Sequence, residues 1–243
     1  MNSYTAMAQV YDSLMYDVDY DAWAAYLDGL LKAWGAPGKR VFETACGTGS
    51  LTLRLKRLGW DIQGADLSPE MLMAAQEKAR KSGLRLEFAC QDMREIRVEN
   101  RDAILCACDG VNYLTEGLER FLAGAYRGLR PGGVLAFDIS SSYKLRQMAK
   151  DQLYFDDGDD VTWFWQNTQE GRLVHMELSF FLRNGGIYIR KDETHTQRIY
   201  ETEEILEAMG QAGFRRQAAY GFLTEEPPGE REERIQFVGQ KPL

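Results

Sequence analysis

The sequence has little histidine and little cysteine. His175 and His195 are its two imidazoles, and Cys46, Cys90, Cys106 and Cys108 include no Cys-x-x-Cys pair. Metal centres need several thiolates or imidazoles at ligand spacing, so none is expected. The thiols read as small buried side chains in a reducing compartment. No apolar run approaches the roughly 18 residues that cross a bilayer. Met1 to Asp12 lacks a basic stretch followed by an apolar core, so neither a membrane span nor a signal peptide is expected, and the location reads as cytoplasmic. Cationic residues are in deficit: 29 Lys and Arg against 37 Asp and Glu give a net charge of −8. A broad nucleic-acid footprint needs clustered Lys and Arg, so nucleic acid is disfavoured. A tRNA met on one local basic face stays open.

What is present is ordinary globular composition, 44% apolar and 27% charged over 243 residues. That excludes disordered, collagenous and low-complexity classes. The length fits one α/β domain with an insertion, or two domains. From Lys39 to about Ile139, short apolar runs alternate with helical stretches. Strands are expected at Val41–Ala45, Asp61–Ala65, Leu84–Ala89, Ala103–Cys108 and Val134–Ile139. Helices are expected over Ser50–Leu58, from an N-cap at Ser68 to Gly83, and over Leu118–Leu129, ending at an Arg130-Pro131-Gly132-Gly133 turn. Such alternation gives a parallel sheet with right-handed crossovers, and ligands bind beyond the carboxyl ends of its strands.

After Asp138 the period changes. Val161–Asn167, Leu173–Leu182 and Ile187–Gln197 are β-rich runs separated by Gly171 and Asn184-Gly185-Gly186, which is hairpin chemistry. A helix N-capped by Thr202 and strands over Gln217–Leu223 and Ile235–Gln240 follow. The fold class is therefore α/β: a doubly wound, seven-stranded, mostly parallel Rossmann-like sheet with an inserted small antiparallel sheet. The expected division is 1–140 for an N-terminal helical cap and ligand-binding core, 141–200 for the insertion or lid, and 201–243 for completion of the core sheet. Ala8 to Leu31 reads as helical and rich in tyrosine, packed on the sheet edge or capping a pocket.

The chemistry concentrates at strand ends. Val41-Phe42-Glu43-Thr44-Ala45-Cys46-Gly47-Thr48-Gly49-Ser50 runs from a strand through a Gly-x-Gly turn into a helix. Glycine allows close backbone approach, and the helix start offers N–H groups to an anion. Two features turn this away from a dinucleotide. Thr52 stands where a third glycine would be, and Glu43 places a carboxylate where it would repel a pyrophosphate. A ligand with a cationic group and no phosphate suits the loop, and S-adenosylmethionine is such a ligand. Asp66, 17 residues after Gly49, has the spacing of a ribose-binding carboxylate, with Leu67 beside it for the adenine. Asp92 and Met93, after the third strand, are placed to accept from an adenine amino group and to pack on its ring.

These blocks, with the Leu129 to Gly133 segment, resemble the class I S-adenosylmethionine-dependent methyltransferases over about residues 38 to 140. The flanks resemble, more loosely, the bacterial small-molecule subgroup through Tyr11-Asp12, His195 to Tyr200 and Ala212-Gly213-Phe214. The resemblance implies that Glu43, Cys46, Gly47 and Gly49 hold the methionine end and that Asp66 binds the ribose. It implies Leu67, Asp92 and Met93 at the adenine, Cys108 and Asp109 beneath the sulfonium, and Tyr11 closing over the cofactor.

Methyl transfer is then an in-line displacement in which alignment can supply on the order of 7–11 kcal/mol. Where the acceptor must lose a proton, His195 is the candidate base, because an imidazole ordinarily titrates near about 6.5. Asn112 and Tyr113 are candidates to orient the acceptor; Tyr16, Tyr143, Arg198 and Tyr200 are weaker ones. Three readings stand at this point: a methyltransferase for a small polar molecule, one acting on tRNA or protein, and a non-methylating nicotinamide-dependent or regulatory protein of similar fold. A homodimer is compatible with each.

Overall fold

A computed structural model of the chain describes residues 11–151 and 153–243. Its centre is a seven-stranded sheet in the order β10-β11-β5-β4-β1-β2-β3. The strands are β1 (Arg40–Thr44), β2 (Asp61–Asp66), β3 (Glu87–Cys90), β4 (Arg101–Cys106), β5 (Leu129–Ser140), β10 (Arg216–Gly221) and β11 (Arg234–Gln240). β1 to β5 pair in parallel, and β11 runs antiparallel to both β5 and β10. The strand order reverses between β1 and β4, and the carboxyl ends there carry the site, as the doubly wound topology requires.

Both sheet faces are covered, which explains strands that read as apolar throughout. On one face, Val41, Ala103, Leu105, Val134 and Ala136 pack against α2 (Tyr20–Ala33), α3 (Ser50–Arg57) and α4 (Pro69–Lys81). On the other, Phe42, Ile104, Leu135, Phe137 and Ile139 meet α5 (Leu118–Gly128) and α7 (Thr202–Ala212). Full burial of a Phe or Leu side chain contributes about 1.5–3 kcal/mol, so the two-sided sandwich holds the strand ends rigid.

Local chemistry sets the helix starts. Ser68 accepts from Met71 N–H at 3.2 Å with Pro69 in the first turn, as expected. The expected N-terminal helix is broken instead: α1 (Tyr11–Leu14) ends, and α2 restarts where Asp19 accepts from Ala22 N–H at 2.9 Å. Ala8 to Val10 lie outside the described residues. Thr202 is the first residue of α7, and Glu201 is its N-cap. β4 stops two residues early, because Cys108 and Asp109 take positive φ of 57° and 50°. The Arg130–Gly133 turn loops out within β5: Arg101 faces Leu129, but Ala103 faces Val134.

The segment between β5 and α7 forms α6 (Ser142–Asp151) and an antiparallel sheet of β6 (Leu153–Asp157), β7 (Val161–Glu170), β8 (Leu173–Asn184) and β9 (Ile187–Arg198). Three strands are expected from sequence; β6 is a fourth. One face buries Val174, Met176, Leu178 and Phe180 with Leu145 of α6. On that face, Met176 lies opposite His195 and Val174 opposite Gln197, so the polar residues of β9 turn toward the core. Among the described residues no helix is long and apolar enough to cross a membrane.

Candidate active site

The main cavity is about 490 Å³ and opens where β1, β2 and β4 end, within the few hundred Å³ typical of small-ligand sites. Its walls include Tyr11, Gly47, Asp66, Leu67, Asp92, Met93, Cys108 and Tyr113. A small inner cavity of about 30 Å³ adjoins it and is lined by Glu43, Cys46, Thr48, Tyr20 and again Tyr11, Gly47 and Cys108.

Glu43 is buried near the end of β1, and its Oε2 accepts from Thr52 Oγ1 at 2.5 Å. Burial pushes its pKa up to about 7; the Thr52 hydrogen bond opposes this and the Asp66 charge adds to it. Asp66 closes β2. Its Oδ2 accepts from Gly47 N–H at 2.8 Å and its Oδ1 from Ser68 N–H at 2.9 Å. Burial raises its pKa in spite of these donors. The cradle is thus walled by two carboxylates, each desolvated and each better ionised beside a cation. Gly47, at φ 54°, would meet nothing within 4 Å of an added Cβ, leaving open space above the loop. Gly49, at φ 73°, is packed from behind by Ala75 and Leu53 and shapes the loop without lining the cavity.

Beyond β2, Leu67 lines the same cavity and is 58% exposed. Asp92 is held by Arg94, whose Nη2 donates to Oδ2 at 2.6 Å and whose N–H donates to Oδ1 at 2.8 Å. That pairing keeps the Asp92 carboxyl below the usual range. Arg94 also lines the cavity, and nothing in the sequence motif singles it out.

The third wall rises from the end of β4. Asp109 Oδ2 accepts from Gln197 Nε2 of β9 at 2.8 Å, Asp109 N–H donates to Asp138 Oδ2 at 2.9 Å, and Arg234 Nη1 lies 3.0 Å from Asp109 Oδ1. Arg234 also bonds Asp138. Burial works against the Arg234 charge, but the two flanking carboxylates keep its pKa above the ordinary value. This knot fixes the left-handed Cys108-Asp109 corner and ties the inserted sheet to the core. Above it, His195 is 3% exposed, with Nε2 3.1 Å from Glu193 Oε2 and its ring edge-on to Tyr113 at 5.8 Å.

The structure therefore gathers Tyr11, Glu43, Cys46, Gly47, Asp66, Leu67, Asp92, Met93, Cys108 and Tyr113 around the two cavities, with Asp109 and His195 just behind their walls. Asn112 is not among them. It is fully buried: Nδ2 donates to Ser140 O at 3.1 Å and Arg198 O at 3.0 Å, and Oδ1 accepts from Ser140 N–H at 2.9 Å. Its amide braces β5 against β9. Of the weaker candidates, Tyr16 is 84% exposed, Arg198 donates to Thr115 O at 3.1 Å, and Tyr200 donates to Leu114 O. Thr194 and Thr196 of β9, Thr115 and Glu116 also line the main cavity, without a sequence signal to mark them.

The family model described as "Methyltransferase domain" matches residues 41–133. YqeM of Bacillus subtilis (strain 168) is 37% identical over 246 residues, covering 98% of this chain and 97% of the relative. A crystal structure of a S-adenosylmethionine-dependent methyltransferase from Clostridium acetobutylicum ATCC 824 superposes with a TM-score of 0.90 at 32% identity, covering 99% of each chain. A glycine/sarcosine N-methyltransferase of Halorhodospira halochloris is 30% identical over 204 residues, 79% of this chain and 70% of the relative.

This chain belongs to the class I S-adenosylmethionine-dependent methyltransferases. Its cofactor is S-adenosylmethionine, and the two desolvated carboxylates beside an open glycine loop fit that cationic, unphosphorylated ligand. The nicotinamide alternative is set aside.

Proposed function

We propose that the protein transfers a methyl group from S-adenosylmethionine to a small polar acceptor carrying a nucleophilic nitrogen or oxygen, by in-line displacement. The observation that carries this is the lining of the main cavity, which joins Gly47 and Asp66 of the cradle to Thr194 and Thr196 of the inserted sheet and to Tyr113. A cavity of this volume, lined from both sheets, suits the cofactor together with a small acceptor. When bound, S-adenosylmethionine supplies an activated methyl group on a sulfonium.

In this reading Glu43, Cys46 and the Gly47 to Gly49 loop hold the methionine end. Asp66 takes the ribose hydroxyls, and Leu67, Met93 and Asp92 the adenine. Cys108 and Asp109 form the floor toward the acceptor, and Tyr11 closes the cofactor side. Tyr113 orients the acceptor. His195, with Glu193 at its Nε2, receives a proton where the acceptor must lose one; an imidazole held by a carboxylate is a suitable general base. Asn112 acts through the frame rather than on the acceptor. The similarity to a glycine/sarcosine N-methyltransferase supports a nitrogen nucleophile.

A polyanionic acceptor is less well served. Arg94, the arginine that lines the cavity, is paired with Asp92. The test is transfer of labelled methyl into fractionated cell extract. Label in the low-molecular-weight fraction is expected; label confined to RNA or protein would overturn the substrate class.

A further inference from the structure

Tyr11 lines both cavities, and it stands on a helix one turn long. The residue after it is anchored. Lys78 Nζ, from α4, lies 2.8 Å from Asp12 Oδ1 and 2.7 Å from Oδ2. The same ammonium donates to Thr48 Oγ1 and Ser50 Oγ, both at 2.9 Å, and Thr48 Oγ1 donates to Asp12 Oδ1 at 2.7 Å. One lysine therefore uses its three donors to join α1, the glycine loop and the first residue of α3.

The smaller cavity, which Tyr11 also lines, is about 30 Å³, room for about one or two water molecules. Tyr11 lines both cavities, so an outward swing of α1 would widen them, and the Lys78–Asp12 pair would have to part for it. The pair is breakable: Lys78 and Asp12 side chains are 27% and 49% exposed, and solvent-screened ion pairs are weak.

We propose that Lys78 is a positioning residue, the latch that holds the Tyr11 helix over the bound cofactor and sets how fast cofactor and product leave. This rests on the reading that Tyr11 closes the cofactor site. Lys78 acts through Asp12 and the loop, so the two partners work as one unit.

The experiment uses the full chain and stopped-flow measurement of S-adenosylmethionine and S-adenosylhomocysteine dissociation in Lys78→Met, Asp12→Asn, the double variant and Lys78→Arg, with Asp66→Ala as reference. Each single variant is expected to raise the dissociation rate by about threefold to tenfold, and the double no further than the worse single, as for two residues in one interaction. Lys78→Arg should restore most of the slow rate. Faster hydrogen exchange of the Met15 amide, which donates to Tyr11 O at 3.0 Å, in Lys78→Met is the structural counterpart. Wild-type rates in Lys78→Met, with binding weakened in Asp66→Ala, would overturn the latch and leave the cofactor site standing. A large effect of Lys78→Met with none of Asp12→Asn would also overturn it, assigning Lys78 to the ligand itself. Unweakened binding in Asp66→Ala would contradict the cofactor reading beneath it.

Discussion

Thr52 Oγ1 donates to Glu43 Oε2 at 2.5 Å inside the protein. Thr52 occupies the position where a dinucleotide-binding loop carries its third glycine, and Glu43 is the carboxylate that a pyrophosphate would meet. The departure from the dinucleotide pattern and the charge that favours a cation are thus one physical unit: the threonine holds the acid proposed to select the ligand. Thr52→Val keeps the shape and removes the donor. A hydrogen bond to a charged group is worth about 1.5–3 kcal/mol, so S-adenosylmethionine should bind at least about tenfold more weakly, with no gain in NAD affinity, by calorimetry.

Glu43 also gives the site a pH dependence. Its pKa in the folded chain is about 7, above the ordinary 4.5. Between those values the native state holds more protons than the unfolded one, so this group's contribution makes stability fall as pH rises from 4.5 to 7 and level off above. A bound cation reverses the preference and expels the proton. Affinity for S-adenosylmethionine should therefore rise with pH, approaching tenfold per unit below 7 and flattening above it. Asp66, also raised by burial, adds in the same direction. Glu43→Gln should flatten most of the slope in titrations from pH 5.5 to 8.5; an unchanged slope would assign the proton elsewhere.

Asp66→Ala removes the acceptor proposed for the ribose and should cost about 1–3 kcal/mol of cofactor affinity. An unchanged dissociation constant would contradict that role.

Asn112 and His195 should separate cleanly in experiment. Asn112→Ala strands the Ser140 and Arg198 backbone groups it now satisfies, costing about 2–4 kcal/mol of stability and lowering Tm by about 4–16 °C. His195→Ala should leave cofactor binding intact and lower kcat by about 10²–10⁴-fold if the base step is required. A His195→Ala variant with wild-type kcat would remove the base from the account.

Much of this was legible in the sequence, because the cradle is built from local rules. Ser68 with Pro69 announces α4, the apolar run of β4 announces a two-sided sheet, and Glu43, Gly47, Asp66 and Met93 sit at strand ends that periodicity locates. The remainder depends on contacts between distant residues. Nothing local distinguishes Asn112 as a brace, since its partners are 28 and 86 residues away. Arg234 reaches Asp109 and Asp138 only through the sheet order. The early end of β4 is imposed by positive φ at Cys108 and Asp109, which are not glycines and give no warning. β6 and α6 escaped because Leu153–Asp157 is short and acidic and α6 is apolar on too few positions.

The most direct test is calorimetric titration of the protein with S-adenosylmethionine and, separately, with NAD, in buffers of different ionisation enthalpy near pH 6.5. One S-adenosylmethionine per chain, bound with proton release that falls to a small remainder in Glu43→Gln, is the predicted result. Tight NAD binding, or sulfonium binding with no proton released, would contradict a cradle whose buried carboxylates are matched to an unphosphorylated cation.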